Sequence, residues 1–447
     1  MPLPFNQWFL SLQPLAFVNN PLIAALDVPG GNGVKANTLF WVILSANAGM
    51  YLLDTVANRL NLRALKPELP REFEGIYDRE EYRRFLDYTA ATANFERVQA
   101  TWDLAVLLGF WLLGGYGWLD RAVGSTHMGF IAAGLLYLGT LFLGHWLVGL
   151  PLEIYETFWI EERFGFNKTT PGTFAGDQVK SLLLSAVLGG VVLALVLAIL
   201  HRGGAAAWLY AWGMASVLLI AMVYAAPALI LPLFNKLTPL EEGELRREIM
   251  ACAERLRFPL AEILVMDSSR RSTKSNAFFT GIGGTKRVVL YDTLVTNHSP
   301  QELVAVLAHE IGHFKLRHIV QHIVVAILNI GIFLFLAQWM IRWPGLYAAF
   351  GVGRPSIYVG LALFLVLYGP LSRLLGIARG AQSRRHEFAA DRFVEEIPGA
   401  PHALGEALKK LSRNNLQNLS PHPLHVVLYH SHPPVLERVR ALEGLRA

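Results

Sequence analysis

The chain has 447 residues, of which 53% are hydrophobic and only 16% charged, where a typical soluble protein carries about 25% charged residues. With a mean hydropathy of +0.38, that balance excludes a disordered chain and an ordinary soluble enzyme, and it fits a polytopic membrane protein with a substantial water-facing part. The net charge of +5 is what basic cytoplasmic loops produce and is no nucleic-acid footprint, and the single cysteine, Cys252, excludes a disulfide framework and a cysteine-cluster metal site.

Residues 1–30 are apolar in patches, without a basic leading region or a clean small-residue cleavage site. They read as an amphipathic arm and not as a signal peptide. A bilayer-spanning helix needs about 20 mostly apolar residues, and seven segments qualify: 38–57, 103–119, 128–150, 181–200, 205–232, 319–341 and 356–378. The fourth has no charge, whereas the first contains Asp54. Residues 57–102 are mixed-charge with a helical pattern, broken early by Pro67 and Pro70, as expected of a solvated helix. His145 and Glu153, in or near the third span, put ionisable groups at membrane depth, which marks a functional site or a wet cavity.

The 233–318 segment reads as a folded domain. Its amphipathic helix EEGELRREIMACAERLRF sets Leu245, Ile249, Cys252 and Leu256 on one face. AEILVMD (261–267) and RVVLYDTLV (287–295) read as strands, and SNAFFTG (275–281) as a third, with GIGG (281–284) as its turn. Residues 379–447 are helical in pattern with a Pro-rich break near 421–434. The expected division is therefore 1–232 (arm, five spans and helical loops), 233–318 (catalytic domain), 319–378 (two spans) and 379–447 (C-terminal helical segment).

Lysine and arginine placement orients the chain. Alternate segments starting from the N-terminus hold five of them, and the other set holds 34. Long segments carry little weight in this rule, but the short loops alone still divide eleven to five. The expectation is an external N-terminus, seven spans and a cytoplasmic C-terminus.

The strongest chemical signal is His309-Glu310-Ile311-Gly312-His313, inside the helical pattern QELVAVLAHEIGHFKLRH. Histidines at i and i+4 leave one helix face, so both imidazoles can reach one zinc ion, with Glu310 beside them to take a proton from an activated water. The extended form with a third histidine fails, because Leu316 and Ile319 stand where its glycine and histidine belong. A glutamate from a second helix is the other common solution, and Glu387-Phe388-Ala389-Ala390-Asp391 fits it. Glu387 and Asp391 share a face, so Glu387 can ligate while Asp391 supports a ligand histidine. Two predicted spans separate His313 from Glu387, which returns the chain to the same side of the membrane. His318 and His322 read as helix-packing residues, and His386 as pointing away from the Glu387 face. His430 and His432 are better placed for substrate contact.

These motifs together resemble the type I CAAX prenyl proteases, integral-membrane zinc metalloproteases of the gluzincin type. The resemblance runs from about residue 60 to 445 through 155–180, PLFNKLTPLEEGELR (232–246), SSRRSTKSNAFFTGIGGTKRVVLYDTLV (268–295), the HEIGH helix, SRRHEFAAD (383–391) and HSHPPVLERV (430–439). It implies a mainly α fold, seven transmembrane helices around a large chamber, and a cytoplasmic-side zinc metalloprotease domain with a small β element. It implies His309, His313 and Glu387 as ligands of one zinc ion, Glu310 as general base and acid, Asn276 as a contact to substrate backbone and His432 as oxyanion stabiliser. The implied partners are the bilayer and a peptide or protein substrate, prenylated in the family's known cases. The short loop WPGLYAAFGVGRPS between the last two spans suits a compact, bacterial form and an inner-membrane location. Two alternatives stand beside this reading: a quality-control zinc protease acting on unmodified membrane proteins, and a non-catalytic transporter.

Overall fold

The computed structural model describes residues 33–280 and 286–444; the expected N-terminal arm and the GIGG turn lie outside them. Helix α1, Thr38–Ala64, begins where the Asn37 side chain accepts a hydrogen bond from the Phe40 N–H, and it ends ahead of Pro67. Helix α2, Arg79–Leu112, opens with a reciprocal capping box between Asp78 and Glu81. The sequence reading divided this stretch into a solvated helix and a span starting at 103; the two are one 34-residue helix. At Gly114, which takes φ 76 at no steric cost, the chain bends by 59° into α3, Gly115–Gly124. The expected second span is thus a broken pair and not a straight rod.

The remaining spans are α4 (Phe130–Glu161), α5 (Pro171–Arg202), α6 (Gly204–Phe234) and two later helices. Among the described residues six helices are long and apolar enough to cross a membrane, and seven if the bent pair counts as one. Within their most apolar stretches, α5 buries 6% of its residues and α6 none. A helix in a solid bundle buries a face, so these two form a thin wall. Polar contacts join α4 to α5: Gln178 Nε2 donates to Glu153 Oε1 at 2.7 Å, and Trp146 Nε1 donates to Gln178 Oε1 at 3.0 Å. Such groups face a protein interior or water, not lipid.

A four-stranded sheet follows, interrupted by helix α7, Glu244–Arg255, whose Ile249, Cys252 and Ala253 are buried. Strands β1 (Leu237–Pro239), β2 (Leu260–Met266), β3 (Ala277–Thr280) and β4 (Lys286–Tyr291) lie in the order β1-β2-β4-β3. The β2–β4 pair is parallel; the two outer pairs are antiparallel. Strand β1 was not expected, since three residues ending in proline carry no alternation and suit only an edge. The expected 287–295 strand stops at Tyr291. There the Asp292 carboxylate accepts from the N–H groups of Ser269 and Thr293 and turns the chain into a short helix, Asp292–Asn297.

The rest is helical: α8 (Pro300–Lys315), α9 (His318–Met340), α10 (Ile357–Phe393), α11 (Ala400–Asn414), α12 (Pro423–Tyr429) and α13 (Val435–Gly444). The expected span 356–378 and the start of the C-terminal helical segment lie on one helix, because α10 runs unbroken for 37 residues. At 1.5 Å per residue it measures about 55 Å and must project well beyond a bilayer about 30 Å thick. Two cores sit at opposite ends of the long helices. One gathers Trp111, Tyr137, Tyr347, Phe350 and Leu363. The other joins Phe85 and Tyr88 of α2 with Phe164, Ile249, Leu307, Leu404 and Val439. The first half of α2 is therefore part of this second core and not a solvated bystander.

Candidate metal centre

Helix α8 starts with Pro300 in its first turn and a capping box between Ser299 and Glu302. That start sets the phase of the helix and brings His309 and His313 onto one face, one turn apart. Helix α10 supplies Glu387 and Asp391, also one turn apart. The helices approach closely because of Gly312: a Cβ there would lie 3.0 Å from Phe393 Cβ.

The three expected ligand groups converge. His309 Nε2 and His313 Nε2 are 3.1 Å apart, and the Glu387 carboxylate oxygens lie 3.5 Å from His309 Nε2 and 3.3 Å from His313 Nε2. Donors on a tetrahedral zinc, at bond lengths of about 2.0–2.1 Å, stand about 3.3 Å from one another. The set of two imidazoles and one carboxylate is also a common catalytic zinc donor set. The Glu387 carboxylate is buried between these two imidazoles and a guanidinium, which keeps it ionised as a metal ligand must be. The residues therefore fit the ion.

Behind the cluster, Asp391 Oδ1 stands 2.8 Å from His309 Nδ1 and fixes that ring's outer nitrogen. Asp391 is itself held by Arg438, whose Nε and Nη2 donate to its two oxygens at 2.8 and 2.7 Å. Arg438 Nη1 also reaches Glu387 Oε2 at 3.2 Å. The sequence reading gave Arg438 no role, although a signal was present. On α13, positions 435, 439 and 442 are apolar and buried, and 438 belongs to the same face. An arginine on a buried face needs carboxylates.

The electrostatics follow from this packing. Burial opposes a charge on His309, but the Asp391 and Glu387 carboxylates outweigh it and hold the metal-free imidazole up at about 9. Burial raises Glu310 above the ordinary carboxylate range, against the pull of the two histidines.

The other expected residues fall as follows. His432 Nε2 lies 3.3 Å from Glu387 Oε1, with its side chain 63% exposed, so it borders the cluster from the open side. Asn276 sits at the head of edge strand β3; its Oδ1 accepts from the Ala277 N–H at 2.8 Å and its carbonyl from the Tyr291 N–H at 3.1 Å. The ring of His430 pairs with His425 at 3.2 Å, and its carbonyl accepts from Arg384 at 2.6 Å, so it fastens α12 to α10. His318, read from sequence as a packing or interfacial residue and not a ligand, is buried and also brings Nδ1 to 2.9 Å from His313 Nδ1. His386 faces His318 and His322.

Residues 58–236 match the family described as CAAX prenyl protease N-terminal, five membrane helices, and residues 239–446 match peptidase family M48. The chain is 34% identical to the probable CAAX prenyl protease 1 of Schizosaccharomyces pombe, over 99% of this chain and 95% of that protein. It is 31% identical to the human CAAX prenyl protease 1 homolog, over 91% and 96% of the two chains. The crystal structure of Saccharomyces mikatae Ste24p superposes with a TM-score of 0.85 at 32% identity, covering 92% of this chain and all of that one.

Proposed function

Because the chain belongs to the CAAX prenyl protease 1 family of membrane metalloproteases, we propose that it cleaves prenylated peptides near their C-terminus, with one zinc ion held by His309, His313 and Glu387. The chain is a multi-pass membrane enzyme, which sets the transporter alternative aside. One observation carries the site assignment: two imidazole nitrogens and a buried carboxylate stand 3.1–3.5 Å apart, at zinc-ligand spacing.

Zinc in such a site supplies a Lewis acid that polarises a carbonyl and brings the acidity of water near neutrality. Glu310 takes the proton of the attacking water and returns it to the leaving amine. Its burial supports this, since an elevated carboxylate matches a proton exchanged near neutral pH. His432 donates Nε2–H to the oxyanion from the exposed side of the cluster. Strand β3 lies at the edge of the sheet and can take an extended peptide as a further strand, with Asn276 at its head. The thin-walled interior, with Glu153 and Gln178 on its inner side, suits a substrate that enters from the membrane with its lipid attached.

The excess of Lys and Arg on alternate segments supports a cytoplasmic active site. The compact loop between α9 and α10 supports a bacterial inner membrane as its location. The test is zinc content together with cleavage of a farnesylated CAAX peptide, wild type beside Glu310→Gln. About one zinc per chain, with cleavage by the wild type alone, is the expected result. Zinc with no cleavage of that peptide, but cleavage of unmodified membrane proteins, would favour the quality-control reading.

A further inference from the structure

The two histidines of the HEIGH helix are supported unequally. His309 has a carboxylate behind its outer nitrogen, Asp391, at 2.8 Å. His313 has an imidazole, with His318 Nδ1 at 2.9 Å from its own Nδ1. We propose that His318 is the positioning residue of His313: it accepts the His313 Nδ1–H and so fixes which nitrogen of His313, and which ring orientation, meets the metal. This inference rests on the zinc reading of the site.

The fold builds this contact at some cost. On a straight helix, residues five apart point about 140° away from each other, so His318 could not face His313. Helix α8 ends at Lys315, and Arg317 takes φ 57, a left-handed conformation that is unfavourable for a side-chain-bearing residue. That turn starts α9 at His318 and folds its ring back over His313.

The ring is then held in place. His318 is buried at 4% exposure. His386, the residue before Glu387, stacks on it at 3.9 Å and 3°. His386 is held in turn, because its Nε2–H donates to Gln321 Oε1 at 3.0 Å. Gln321 Nε2 donates to the Leu316 carbonyl at 3.3 Å, within the same turn.

The hydrogen-bond arithmetic gives the direction. Nε2 of His313 faces His309 and Glu387, so its ring proton sits on Nδ1. Two nitrogens 2.9 Å apart share one hydrogen, so His318 Nδ1 accepts. Packing alone would leave the identity of this atom indifferent; the nitrogen contact does not. Outer partners of this kind typically alter metal affinity by about 10–100-fold.

The test compares His318→Asn with His318→Leu in the full-length protein in detergent. The two side chains have nearly the same shape, but only Asn keeps an acceptor near the Nδ1 position. Zinc retention against a competing chelator is read beside the visible spectrum of the cobalt-substituted protein. The expected result is about 10–100-fold weaker retention and an altered cobalt spectrum for His318→Leu, with His318→Asn within a few-fold of wild type on both. Equal retention in wild type and His318→Leu overturns the proposal, as does equal weakening in both variants. Should His318→Leu not fold, His318→Phe keeps the stack on His386 without the acceptor and is read the same way. Absence of zinc from the wild type would defeat the metal reading itself, a distinct outcome.

Discussion

Glu310 and His309 are adjacent in sequence and have opposite tasks in the proposed mechanism: one would exchange a proton and the other would lose one. For Glu310→Gln the expected outcome is a chain that keeps its zinc and loses about 10²–10⁴-fold in hydrolysis, the usual weight of general acid–base catalysis. Metal analysis and peptide turnover on the same preparation check it. For His309 the sign follows from the metal-free value of about 9. Below that pH the ring carries a proton, and a ligand nitrogen must be bare, so zinc uptake at pH 7 expels a proton. Apparent zinc affinity should therefore rise with pH toward 9, by about tenfold per unit for this one proton. Calorimetry in buffers of different ionisation heat counts the protons released; a count of zero would contradict the Asp391–His309 arrangement. These residues were legible in the sequence because an i, i+4 spacing on one helix leaves little freedom. Arg438 was not read, since its partners come from α10, 47 positions away in the chain.

At the scale of the element, three helices meet at the site. Helix α8 carries the histidines and α10 the carboxylates, and α13 locks them through Arg438. Arg438→Met removes one side of a buried charge network and leaves Asp391 and Glu387 with the His309 imidazolium as their one close counter-ion in the metal-free chain, among the described residues. The expected loss is about 3–5 kcal/mol in the metal-free chain, read as a lower thermal midpoint in detergent, with added zinc recovering part of it because the ion binds only the folded state. A midpoint unchanged from wild type would show that Arg438 only fills space. The sequence located α7, α8 and the strands β2 and β4, because their periodicity is local. It divided 79–112, where the solvated helix and the start of a span are one continuous helix, because hydropathy registers the change of environment and not the continuity of the backbone. It also missed β1 and the end of β4 at Asp292, which are decided by strand pairing and by one side-chain cap.

For the whole molecule the question is what the spans enclose. Helices α5 and α6 bury almost nothing within their apolar stretches, yet Glu153 and Gln178 form hydrogen bonds at membrane depth. A water-filled interior satisfies both observations. Glu153→Cys tests it. A water-soluble maleimide should label the new thiol, and a farnesylated peptide should slow that labelling by occupying the same space. Cys252, the one native thiol, gives little background, since burial pushes it up to about 11. No labelling, in a variant that still folds, would mean a dry wall and a different route for the substrate.

The sequence by itself determined the membrane class, the approximate spans, the HEIGH helix and the Glu387–Asp391 face. Each of these is written in composition or in a period of a few residues, and the even number of spans between His313 and Glu387 is a count along the chain. The tertiary structure alone decided the outer support of the site. Arg438 reaches Asp391 and Glu387 from α13, and His318 reaches His313 only through the left-handed turn at Arg317. Such contacts depend on how rigid helices are set against one another, and local pattern holds no record of that.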